Sequence, residues 1–81
     1  MKTEEELKML LLLYSYVHIP ENDTCYACYS DGHNTVYLKD KSPMLKDYSF
    51  YNVLPGKGEG SIIFHSPIIT KMYEFLIEHH S

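Results

Sequence analysis

The stretch Cys25-Tyr26-Ala27-Cys28-Tyr29-Ser30-Asp31-Gly32-His33 admits two structures that exclude each other. As a strand entering a turn, it alternates: Tyr26 and Cys28 face one way, and Cys25, Ala27 and Tyr29 the other. As a metal site, it needs Cys25 and Cys28 on the same side, whereas strand residues three apart point to opposite faces. Asp31-Gly32-His33-Asn34 carries turn chemistry, because Gly and Asn tolerate positive φ. Thr35 to Lys39 then alternates again, with Val36 and Leu38 opposing Thr35 and Tyr37. Two alternating runs around such a turn predict a β-hairpin. Asp40-Lys41-Ser42-Pro43 ends it.

The ligand spacing Cys25-x2-Cys28-x4-His33 resembles the zinc knuckle of retroviral nucleocapsid proteins, Cys-x2-Cys-x4-His-x4-Cys. Tyr26 and Gly32 also match that pattern. The resemblance implies a structural zinc held by Cys25, Cys28 and His33. It stops at Leu38, which stands where the fourth ligand belongs, and at Tyr29, which replaces a glycine. Structural zinc needs four closed ligands. Here the fourth would come from His65, His18, Asp40 or the His79-His80 pair. The alternation, the turn residues and the missing ligand favour the strand, with both cysteines as small buried hydrophobes.

Upstream, Thr3-Glu4-Glu5-Glu6 has the form of a capping box, with carboxylates suited to the positive end of a helix dipole. A helix is expected from about Glu4 to Val17, stopping before Pro20. Leu7, Leu10, Leu11, Tyr14 and Val17 form one apolar stripe. Met9, Leu12, Leu13 and Tyr16 form a second, although a surface helix needs only one. Glu21-Asn22-Asp23 reads as a polar turn. Downstream, Ser42-Pro43 has the chemistry of a helix start, but Tyr48 to Leu54 is rich in strand formers, and we take the strand reading for 43–54. Pro55-Gly56-Lys57-Gly58-Glu59-Gly60 is expected to be a flexible loop. It lacks the Gly-x4-Gly-Lys-Ser/Thr order of a phosphate loop. Ser61 to His65 forms a short strand. Ser66 and Pro67 are expected as N-cap and first residue of a second helix, whose apolar positions Ile68, Ile69, Met72, Tyr73, Phe75, Leu76 and Ile77 again exceed one stripe.

The 81 residues suffice for a single domain, 1–81, with a small core. Short links between strands favour an antiparallel meander. The expected fold is α+β: a meander of three to four strands, with the N-terminal and C-terminal helices packed on one face. Net charge is −4, all seven cations are Lys, and Arg is absent, so no basic stripe or bidentate fork serves nucleic acid. The run Met9 to Tyr14 is too short to span a bilayer, and the acidic Glu4-Glu5-Glu6 has the wrong sign for a secretion leader. A cytoplasmic, reducing setting follows for two cysteines that would close only a trivial loop. Lys without Arg, with many Ile, Tyr and Asn, suggests the coding bias of a low-GC microbe or its phage.

These features predict a non-enzymatic protein-interaction module without cofactors, self-associating as a dimer, with a phage-borne modulator of a host protein as one subtype. Its contacts are expected from Met9, Leu12, Leu13 and Tyr16, and from the aromatics Tyr26, Tyr37 and Tyr51. The alternatives are a zinc module on Cys25, Cys28 and His33 with His65 as fourth ligand, a protein sequestering a small ligand at a dimer interface, and a Cys–His enzyme.

Overall fold

The computed structural model describes residues 1–39, 46–56 and 61–81. The chain runs α1 (Glu4–Leu13), β1 (Val17–Ile19), β2 (Cys28–Ser30), β3 (Thr35–Tyr37), β4 (Tyr48–Tyr51), β5 (Ile62–Ser66), α2 (Ile69–His79). The strands form one antiparallel sheet in the order β1-β2-β3-β4-β5. The α+β meander with a helix at each end is therefore correct, and the strand count is five rather than three to four.

The additional strand comes from the end of α1. The capping box forms as expected: the Glu6 amide donates to Thr3 Oγ1 at 3.2 Å, and the Thr3 amide donates to Glu6 Oε1 at 3.0 Å. The helix stops at Leu13, four residues before Val17. Ser15 turns left-handed at φ 69°. Its amide bonds the Leu12 carbonyl at 3.0 Å, and the Tyr16 amide bonds that of Leu11 at 2.9 Å. This pair of bonds is the left-handed C-cap usually built on glycine. Beyond it, β-branched Val17 and Ile19 pair with Ser30 and Cys28, an environment that suits their stiff side chains.

Three further expectations are corrected. The strand foreseen over Thr24 to Ser30 covers only Cys28–Ser30, because Asn22 Oδ1 accepts from the amides of Thr24 (2.8 Å) and Cys25 (3.0 Å) and holds that segment as a turn. Ser66 is not an N-cap. It ends β5 opposite Tyr48, its Oγ accepts from the Ile68 amide at 3.1 Å, and α2 begins only after Ile68. The strand read into residues 43–54 is β4, confined to Tyr48–Tyr51. The helix start read into Ser42-Pro43 and most of the glycine loop lie outside the described residues.

Register assigns the faces. His18, Tyr29, Val36, Phe50 and Phe64 lie side by side across the five strands, on the face the helices cover. Phe75 of α2 stacks on Phe64 (4.5 Å between ring centroids) and meets Phe50 edge-on at 5.0 Å. Leu7, Leu10 and Leu11 of α1 join Met72 and Leu76 of α2, with Tyr16, Val36, Leu38 and Phe50, in one core. The opposite face presents Ser30, Thr35, Cys28 and Ser49, all buried although small or polar. The loops before β2 and after β4 close over it. Thr35 Oγ1 donates to the Val53 carbonyl, and the two loops meet where a Cβ built on Gly56 would lie 3.0 Å from Thr24 Oγ1.

Candidate interaction surface

The buried positions of α1 are Leu7, Leu10 and Leu11. At 100° per residue they point toward the sheet and α2, so Met9 and Leu12 point directly away and Leu13 leans toward α2. Their exposures are 69 %, 60 % and 76 %. From Leu13 and Met9 the apolar surface runs into a groove of about 420 Å3, completed by Leu10, Glu6 and Tyr73. Charge frames this surface at its N-terminal end. Lys8 reaches Glu4 (3.6 Å) and Glu5 (3.7 Å), Lys2 reaches Glu6 (3.7 Å), and the Lys2 ammonium sits 4.5 Å from the Tyr73 ring centroid. An apolar centre with a polar rim is the usual anatomy of a protein interface.

The other residues expected at a contact surface do not join this patch. Tyr16 is only 1 % exposed, a correction to its place in the second stripe. Because α1 ends before it, Tyr16 follows the C-cap into the core, and its hydroxyl meets His80 Nε2 at 2.9 Å. Burial, with Asp31 nearby, raises the Tyr16 pKa far above its ordinary value. The hydroxyl therefore keeps its proton at neutral pH. Tyr14 stacks on the His80 ring, 4.6 Å away. Tyr37 and Tyr51 belong to the opposite face of the sheet, where they pack edge-to-face at 5.5 Å. Burial and the two cysteines raise the Tyr37 pKa to about 12. Tyr26 is half-buried in the loop before β2.

The metal reading finds His65 far from Cys28. Cys28 opens β2, and His65 lies in β5, in the same row of the sheet as Tyr37 and Ser49. Three strand spacings separate Cys28 from His65, about 14 Å. His65 Nδ1 pairs with Asp47 Oδ2 at 2.8 Å. His33 is exposed in the β2–β3 turn, where Asp31 Oδ1 accepts from its amide (2.9 Å) and from that of Asn34 (2.8 Å). Burial works to raise the Asp31 pKa, but these two amides with His33 and His80 hold it below the usual carboxylate value. Among the described residues, no three His, Cys, Asp or Glu side chains are grouped to hold a metal ion.

Burial, reinforced by Cys25, raises the Cys28 thiol to about 12, so it stays protonated at neutral pH. Ser49 faces the His65–Asp47 pair across the ladder, but it is 1 % exposed and its hydroxyl donates to the Asp47 carbonyl at 3.3 Å. No helix among the described residues is long and apolar enough to cross a membrane. Comparison with protein-family models, with curated proteins and with solved structures finds no match to this chain.

Proposed function

We propose that this chain is a small, non-enzymatic protein-interaction module that self-associates through the outer face of α1. The observation that carries the reading is the run Met9, Leu12, Leu13. Three large apolar side chains on one helix face are each at least 60 % exposed, beside a groove that Tyr73 walls on the α2 side. In so small a domain a contiguous exposed patch marks a contact site. A twofold pairing, in which each copy covers the other's stripe, is the simplest closed arrangement. Each such side chain is worth roughly 1.5–3 kcal/mol when fully buried, and a symmetric pair counts every one twice. The burial of the Cys28 thiol, and that of Ser49, whose hydroxyl is spent on the Asp47 carbonyl, support the non-enzymatic part of the reading.

The test is the mass of the particle in solution. Wild type is expected to run as a dimer, and Leu12→Glu with Leu13→Lys as a monomer with an unchanged far-UV spectrum. A wild-type chain that stays monomeric at high micromolar concentration overturns self-association. A heterologous protein whose binding the same double substitution abolishes would then be the occupant of this face.

A further inference from the structure

On the face of the sheet away from the helices lies an open cavity of about 390 Å3, walled by Val17, Ile19, Ser30, Leu54 and Pro55 and bordered by Cys25. Cys25 is half-buried there, and Cys28 is 1 % exposed behind it. Both backbones are fixed. Cys25 is held in the Asn22 turn by its amide (3.0 Å to Asn22 Oδ1) and its carbonyl (3.0 Å from the Asn22 amide), and Cys28 by its pairing with Ile19. Because the strand begins only at Cys28, the two side chains are not forced to opposite faces. Both cysteines flank Ile19: Cys28 is its register partner across the ladder, and Cys25 shares with it the wall of the cavity.

The geometry points to Cys25 and Cys28 as a reversible redox pair, with Cys25 the thiol that meets a small disulfide entering the cavity and Cys28 the thiol that resolves it. The Cys25 thiolate attacks one sulfur of a low-molecular-weight disulfide. That S–S bond breaks, one small thiolate leaves and takes a proton, and a mixed disulfide remains on Cys25. Cys28 gives up its proton and attacks the Cys25 sulfur, expelling the second small thiol. In the balance, two protein thiols become one disulfide and one small disulfide becomes two thiols. The pair spans two intervening residues, so the bond contributes little as a structural cross-link and stays easy to reduce. The raised pKa of Cys28 assigns the order of events: a buried thiol seldom ionises, so the entry point is Cys25. This site lies on the face opposite the α1 stripe and does not depend on it.

The experiment incubates the folded full-length chain with glutathione disulfide at pH 8, quenches with acid and reads thiols by maleimide labelling and intact mass. Wild type is expected to lose both reactive thiols together, with a mass lower by two hydrogen atoms and no lasting glutathione adduct. Cys28→Ala is expected to accumulate one glutathione, and Cys25→Ala to stay unmodified until denaturant is added. The proposal is overturned if wild type keeps both thiols or holds a stable adduct. It is also overturned if folded Cys25→Ala is modified as fast as Cys28→Ala. The wild-type result stands without any variant having to fold.

Discussion

Ser15→Gly is expected to stabilise the fold. Ser15 is exposed and holds φ 69° to close the C-cap of α1. An L-residue pays roughly 1–2 kcal/mol for the left-handed conformation, and glycine avoids that cost. Glycine also loses more chain entropy on folding, which returns about 0.5–1 kcal/mol. The net gain is about 0.5–1 kcal/mol, a rise in melting temperature of about 2–8 °C for a domain of this size. Ser15→Val tests the opposite sign, since a β-branched residue at positive φ is strained, and a loss of about 1 kcal/mol or more is expected. Urea unfolding followed by circular dichroism measures both, with a shifted midpoint at constant slope. If the glycine variant is no more stable than wild type and the valine variant no less, Ser15 is not left-handed. The helix would then continue toward Val17, as the apolar pattern of α1 suggests.

Tyr16→Phe removes the hydroxyl that meets His80 and is expected to cost about 1 kcal/mol, read from the same urea curves. Acid destabilises the same site, because a charged His80 is disfavoured where it is buried beside His79. Burial, aided by His79 and opposed by Asp31, lowers the His80 pKa below the ordinary imidazole value of about 6.5, so between the two values the unfolded chain binds more protons than the folded one. Stability therefore rises with pH, is complete above about 6.5, and is lost as the pH falls from there through the folded pKa. Melting temperatures from pH 7.5 to 4.5 check this, and His80→Gln should flatten the slope. Phe50→Ala, at a site with no exposure and rings of Phe75 and His79 against it, is expected to cost about 3–5 kcal/mol. Set against a total of about 4–12 kcal/mol for 81 residues, that loss should broaden or abolish the cooperative transition in near-UV circular dichroism. A chelator is expected to leave the melting temperature unchanged, because Cys28 and His65 stand three strands apart; a fall would restore the zinc reading.

Local chemistry was legible where a side chain announces its backbone partner. Thr3 and Glu6 specify the start of α1 three residues apart, and Asp31 with Gly32 specifies the hairpin turn, Gly32 adopting φ 92°. What was hidden was the end of α1. The apolar positions continue from Leu13 through Tyr14, Tyr16 and Val17, and the stop depends on a serine in a conformation normally signalled by glycine. One continuous greasy run thus serves a helix, a cap and an edge strand, and Tyr16 moves from an expected outer stripe into the core. The turn at Cys25 was missed for a related reason: the alternation persists through it, while Asn22 captures the amides the strand would have used. Of the candidate contact residues, the stripe Met9, Leu12 and Leu13 follows directly from helix periodicity. The split between that stripe and the tyrosines of the far sheet face depends on strand register, which no local signal carried.

Sedimentation of the unmodified chain over a concentration series is the most direct test of the α1 stripe as a contact surface. A weight-average mass that climbs to twice that of the chain, and falls back when Leu13 alone is changed to Lys, is the predicted result. A mass that stays at one chain throughout, or a dimer indifferent to Leu13→Lys, contradicts it.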